Sequence, residues 1–174
     1  SHFREGEYDQ ALQELEKSAT NKEIALQSKI GMVLTHLRKQ DHKSALALAH
    51  SLTQEYPKDA MVFNVLGSVH LEKKDGKSAR EQFKRALELN AEFYPAMINL
   101  AKLDLMDRKP IEAAKWYQRV LEKNKTNMSA LMGMAQAEVL QGHAPAANEW
   151  LERARQADAG AMQPRVILAR AALE

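Results

Sequence analysis

The chain contains no cysteine. Disulfides, thiolate nucleophiles and cysteine-ligated zinc are therefore excluded, while the redox compartment stays open. Glycine and proline are scarce, at seven and five in 174 residues. With Ala, Leu, Glu, Lys and Gln abundant, that scarcity predicts an all-helical protein. The aromatics, four Phe, four Tyr and two Trp, are scattered and do not interleave with basic clusters. Neither sign of charge dominates: 25 Lys and Arg face 23 Asp and Glu, a net charge of +2. A nucleic-acid or membrane-surface protein concentrates basic residues on one face, so neither partner is expected. No run approaches the roughly 18 consecutive apolar residues of a membrane span, so no direct membrane insertion by this segment is expected. No signal-peptide pattern is visible.

What the chain does have is a repeat. Ala11, Ala45, Ala79, Ala113 and Ala147 are spaced by 34 residues throughout, without a gap. With these alanines at position 20 of the repeat, position 8 holds Val33, Gly67, Ala101, Ala135 and Ala169. Position 24 holds Leu15, Ala49, Phe83, Tyr117 and Leu151, and position 27 holds Ser18, Leu52, Ala86, Val120 and Ala154. Small residues at positions 8 and 20 let two antiparallel helices approach closely, and a bulky residue at 24 fills the space beside them.

The helix breakers keep the same register. Pro57 lies just past a second helix, and Pro95, Pro110, Pro145 and Pro164 fall in or next to first turns, where a missing N–H costs little. Gly6 and Gly142 share position 15, in the turn between the two helices, where a positive φ is tolerated. Asp41 and Asp75 share position 16 and are placed to cap the second helix.

The period and these columns resemble the tetratricopeptide (TPR) family over the whole chain. The resemblance implies an all-α, right-handed superhelical solenoid of antiparallel helix pairs, about ten helices in all. Complete repeats are expected at 26–59, 60–93, 94–127 and 128–161, with a partial repeat at 1–25 and the first helix of a further one at 162–174. Both ends fall inside a first helix, and the final one carries Val166, Leu168 and Ala169 without a partner helix. The chain is expected to be a fragment of a longer array, with self-association through the open C-terminal helix.

Six histidines raise the question of a metal. His36 and His70 occupy position 11, followed there by Asp104 and Glu138. Equivalent positions in adjacent repeats lie on the order of 10 Å apart, whereas ligands must converge to about 2 Å from one ion. A polar edge is the better reading, and no metal is expected. His42, His50 and His143 have no spaced partners. No nucleophile–base pair, phosphate-binding loop or dinucleotide fingerprint occurs, so neither cofactor nor catalysis is expected. Neighbouring carboxylates such as Glu14 and Glu16 share their helices with Lys and Arg, as solvated faces do. Met97, Met128, Met132 and Met134 cluster in two adjacent first helices, suited to core filling and to adaptable contact alike.

In the TPR family the first helices line a concave groove, and ligand contacts fall at positions 2, 5, 9, 12 and 13. Carried over at positions 5 and 9, the resemblance implies a protein- or peptide-binding groove of Ile30, Leu34, Asn64, Ser68, Ile98, Lys102, Met132, Gln136, Val166 and Arg170. It is apolar at its N-terminal end and polar to basic further along. The family's chaperone clamps grip a terminal carboxylate with clustered Lys and Asn. The matching positions here carry Ile30, Leu34, Val65, Pro95 and Asn99, or one repeat later Asn64, Ser68, Asn99, Ser129 and Gly133, and lack the cations.

Phe93-Tyr94-Pro95-Ala96, with Asn99-Leu100-Ala101-Lys102-Leu103-Asp104, resembles a repeat of the TPR lipoproteins of bacterial PEP-CTERM/exosortase systems. Trp150-Leu151-Glu152-Arg153-Ala154 and Pro164-Arg165-Val166-Ile167-Leu168-Ala169 resemble the same family in the right order. Ala91, Lys125 and Ala159 stand where its turn proline is usual. This resemblance implies a lipid-anchored, periplasm-facing scaffold of a Gram-negative bacterium, serving exopolysaccharide production or protein sorting. The periplasmic repeats of an exopolysaccharide export porin are a close alternative, and a cytoplasmic location is another. The leading expectation is a non-catalytic protein-interaction scaffold. The second is a substrate-docking or regulatory arm of a larger enzyme. Direct polysaccharide binding ranks third, because positions 5 and 9 carry no aromatic.

Overall fold

The computed structural model describes residues 2–21 and 24–171, and side chains over 4–21 and 24–160. Among these residues there are nine helices and no strand. They are α1 (His2–Ala19), α2 (Ala25–Arg38), α3 (His42–Glu55), α4 (Ala60–Glu72), α5 (Gly76–Leu89), α6 (Tyr94–Met106), α7 (Pro110–Lys123), α8 (Met128–Leu140) and α9 (Ala144–Ala171). They form two compact units, Ser1–Ala96 and Met97–Glu174. In the first, α1 packs on α2, α2 on α3, α3 on α4 and α4 on α5, and α2 also meets α4. In the second, α7 packs on α8 and α8 on α9.

The 34-residue columns are the core. Ala45, Ala79 and Ala113 are wholly buried and Ala147 nearly so, as are Val33, Ala101 and Ala135 at position 8. Position 27 follows with Leu52, Ala86, Val120 and Ala154. First and second helices differ in how they are buried. Helix α4 is sheltered on several sides, burying Ala60, Val62, Asn64, Val65, Leu66, Gly67 and Val69. Helix α5 buries only the stripe Ala79, Phe83 and Ala86, at the spacing of one helical face.

The turn inside each repeat is one motif used four times. Position 15 is left-handed in every case: Gln40 (φ 62°), Lys74 (φ 61°), Arg108 (φ 57°) and Gly142 (φ 78°). The N–H of that residue donates to the carbonyl three residues back, as in Lys74 to Leu71 at 2.9 Å. The next N–H reaches five back, as in Asp41 to His36, Asp75 to His70 and His143 to Glu138 at 2.9 Å, and Lys109 to Asp104 at 2.7 Å. This pair of bonds closes the first helix in a Schellman motif. Asp41 and Asp75 then cap the second helix, accepting from the Ser44 and Ser78 amides at 3.0 Å. First helices are capped by Asp59 (on Met61, 2.8 Å) and Asn127 (on Ala130, 2.9 Å).

Three of the four left-handed positions carry side chains that disfavour this conformation by roughly 1–2 kcal/mol. Lys74→Gly should therefore stabilise the chain by about 0.5–1 kcal/mol, after the extra freedom glycine gains in the unfolded chain is subtracted. A rise in the urea midpoint checks this; a fall would mean the Lys74 side chain stabilises the turn by itself.

Two boundaries depart from the 34-residue reading. Gly6 is not a turn residue, because α1 runs through it without a positive φ. Position 16 carries Glu7 where Asp41 and Asp75 cap elsewhere. At the other end α9 continues through Gly160 and Pro164 to Ala171, so the helix expected from 162 is joined to the one before it. Position 34, the capping Asp59 and Asn127 of other repeats, is Ala161 here, and nothing caps a new first helix.

Candidate docking surface

The ten residues expected to line the groove are not equivalent in the structure. In the first unit Ile30 is 8 % exposed and belongs to the core with Val33, Leu52, Val62 and Leu66. Asn64 is equally buried, and Ser68 turns inward to donate to the Asn64 carbonyl at 3.0 Å. Leu34 alone of these four is well exposed. In the second unit Ile98 is half-buried, whereas Lys102, Met132 and Gln136 are exposed. Val166 and Arg170 lie outside the residues whose side chains are described.

Lys102, Met132 and Gln136 come together. With Tyr117, Ser129, Gly133, Ala135, Val139 and Leu151 they line an open cleft of about 470 Å³. Its surface is mostly hydrocarbon: Met132, Val139 and Leu151 stand 48 %, 62 % and 42 % exposed. The floor is Tyr117, itself 2 % exposed. A Cβ placed on Gly133 would collide with the Tyr117 ring at its hydroxyl-bearing end, so that end lies against α8 where only a glycine fits. Burial alone pushes the phenol up to about 12, so it remains a proton donor at any physiological pH.

Positions 5 and 9 found three of the nine lining residues. Val139 stands at position 12, a contact position of the family beyond positions 5 and 9. Leu151 stands at position 24, which reads as core, and three of its four counterparts, Ala49, Phe83 and Tyr117, are buried, with Leu15 half-buried. The signal for Tyr117 was Gly133 itself, a glycine inside a helix that otherwise lacks them.

The position-11 column has a local explanation. His36 Nδ1 lies 3.4 Å from Asp41 Oδ2, His70 Nδ1 lies 3.7 Å from Asp75 Oδ2, and His143 Nδ1 lies 2.9 Å from Glu138 Oε2. Each pair joins positions 11 and 16 of a single repeat across the Schellman turn. Among the described residues no three His, Asp or Glu side chains converge on a point that could hold a metal ion.

His70 carries a pH signature. Its imidazole is held below the ordinary value first by burial, then by His50 and Lys73, while Asp75 pulls the other way. As pH falls through the ordinary value of 6.5, the unfolded chain takes up a proton that the folded chain accepts only lower down. Stability is thus full above that value and declines with acidification. His70→Gln should flatten this decline in urea midpoints measured from pH 7.5 down to about pH 5; an unchanged slope would assign it to another group.

Helix pairs closed by one repeated turn, with small residues at the seams and a cleft on a first-helix face, define a helical-repeat interaction module. The family model described as Protein kinase G tetratricopeptide repeat matches residues 4–166, and the chain belongs to this TPR family. TPR repeats are generally non-catalytic interaction modules. Similar solved structures include a thermophilic TPR protein of Thermus thermophilus, at 18% identity over 99% of this chain and 94% of that one, with a TM-score of 0.74. MamA aligns at 15% identity over 92% and 94% of the two chains, with a TM-score of 0.72. YrrB, a TPR protein with an unusual peptide-binding site, aligns at 21% identity over 96% and 84%, with a TM-score of 0.64. These likenesses show the fold. No curated protein sequence matches the chain. Among the described residues no helix is long and apolar enough to cross a membrane.

Proposed function

We propose that the chain is a non-catalytic docking scaffold whose second unit holds a protein segment in the cleft beside α8. The observation that carries this is the exposure of Met132, Val139 and Leu151 around one trough; the other exposed large apolar side chains, Ile24, Leu34, Met106, Ile111, Met128 and Leu140, do not line it. Clustered apolar exposure in a concave site marks a binding surface. Peptides selected by display on the intact chain should lose binding to Met132→Glu and keep it with Met106→Glu, an exposed residue that does not line the cleft. Equal loss in both, or in neither, would remove the cleft from consideration.

For the setting, the strings at 93–104, 150–154 and 164–169 support a periplasm-facing or outer-membrane-anchored scaffold in exopolysaccharide production or export, or in PEP-CTERM sorting. A second reading, a docking or regulatory arm of a larger enzyme, is favoured by the family model, which describes the repeat region of a protein kinase. The full-length gene separates them: a lipobox cysteine supports the first, an appended kinase domain the second. Self-association through 162–174 belongs to the same proposal. Light scattering on this chain and on one lengthened by a full repeat tests it, with self-association of the shorter form alone as the expected result.

A further inference from the structure

The cleft is not uniformly apolar, and its two polar features point the same way. Of its nine lining residues only Lys102 is charged. It takes part in no ion pair or hydrogen bond among the described residues. Tyr117, only 2 % exposed, lines the same cleft, and its hydroxyl likewise has no hydrogen-bond partner among the described residues. That hydroxyl is not sealed in the core: among the described residues the wholly enclosed side-chain polar atoms without a hydrogen bond are Nδ1 of His42 and of His36, the latter still facing Asp41, both in the first unit. Tyr117 reaches the cleft as part of its floor. A hydroxyl reached from the cleft and unpartnered within the described residues is available to donate to whatever occupies the cleft.

Resting on the docking reading above, we infer that the cleft accepts an acidic side chain, Asp or Glu, flanked by bulky apolar residues in an extended segment of a partner protein. The carboxylate takes the Lys102 ammonium on one side and accepts from the Tyr117 hydroxyl below. The neighbouring apolar side chains cover Met132, Val139 and Leu151. Charge complementarity selects this occupant over a neutral apolar segment, because a neutral segment would cover Lys102 and Tyr117 without satisfying either. The choice of an internal acid over a chain terminus follows from the cleft's form. It is an open trough, and it offers one cation where terminal-carboxylate clamps cluster several.

The probes are dye-labelled peptides, blocked at both ends, with one glutamate between varied apolar residues. Matched sets carry glutamine in its place, or no acid but a free C-terminus. Fluorescence anisotropy on the intact chain should show the glutamate set binding about tenfold more tightly than the glutamine set, the worth of a charge-assisted hydrogen-bonded contact. Tyr117→Phe and Lys102→Gln should each reduce that preference to near unity. Tyr117→Phe should unfold at the same or a higher temperature than the parent, since the hydroxyl it removes has no partner in the fold.

If glutamate and glutamine probes bind alike and Met132→Glu abolishes both, the docking cleft stands and the acidic specificity is wrong. Binding unaffected by Met132→Glu removes the cleft itself and the inference with it. Tighter binding by the free-terminus set would replace an internal acid by a chain end. Absence of binding by the glutamate set at millimolar protein would also overturn the inference.

Discussion

Phe83→Ala is expected to destabilise the chain by about 3–5 kcal/mol, the range for removing a buried aromatic ring. Phe83 is wholly buried, and its ring lies so near Gly67 that a Cβ built there would stand 2.5 Å from Cε1. The opposite wall thus has no side chain to move into the space, so the cavity persists and its cost is not recovered by collapse. Urea denaturation followed by far-UV circular dichroism is the measurement. Both tryptophans, Trp116 and Trp150, lie in the second unit, so their fluorescence alone would report on the wrong half of the chain. A loss below about 1 kcal/mol would show that the site closes after all. The companion change discriminates further. Gly67→Ala should destabilise the parent by overpacking and stabilise Phe83→Ala, where the ring is gone and alanine's helical advantage of about 1 kcal/mol is unopposed.

Gly133→Ala is expected to cost about 1–3 kcal/mol net, the usual penalty for an atom forced into a filled core. The added carbon would overlap the Tyr117 ring at its hydroxyl end, on three ring atoms at once, all inside any real contact distance. The ring cannot step aside cheaply, because Tyr117 is packed to 2 % exposure. Alanine's gain in helix propensity offsets part of the cost without reversing its sign. Tryptophan fluorescence suits this unit, and the substitution should become neutral or stabilising in a Tyr117→Ala background. A Gly133→Ala chain as stable as the parent would mean that the tyrosine adopts another rotamer at no cost.

Much of the fold was legible because the repeat is written five times over. A single Ala79 says little, but alanines at one spacing from Ala11 to Ala147 identify a seam, and the seam is buried from Ala45 to Ala147 and half-buried at Ala11. The capping roles of Asp41 and Asp75 were legible for the same reason. What stayed hidden was whatever the columns do not share. Gln40, Lys74 and Arg108 look nothing like Gly142, yet the flanking hydrogen bonds force the same left-handed turn on all four. Gly6 shares the register position of Gly142, yet it lies inside α1. Ile30 shows the limit for the site. Its position is a contact position in the family, but an apolar side chain that can reach the core goes there. Tyr117 is the converse, a core column whose polar tip extends the core into the cleft.

The glycines that bulky residues at position 24 press on lie both within and between repeats. Phe83 sits over Gly67 of its own repeat, whereas Leu15 meets Gly31 and Tyr117 meets Gly133, each in the repeat that follows. In nearest-neighbour language, the first contact contributes to the intrinsic stability of one repeat, and the other two are coupling terms between repeats. Opening the Phe83–Gly67 contact weakens a link of the chain, and opening the Tyr117–Gly133 contact weakens the joint between links. The distinction shows in the shape of the unfolding curve: the first change shifts the transition, while the second broadens it as neighbouring repeats begin to melt independently.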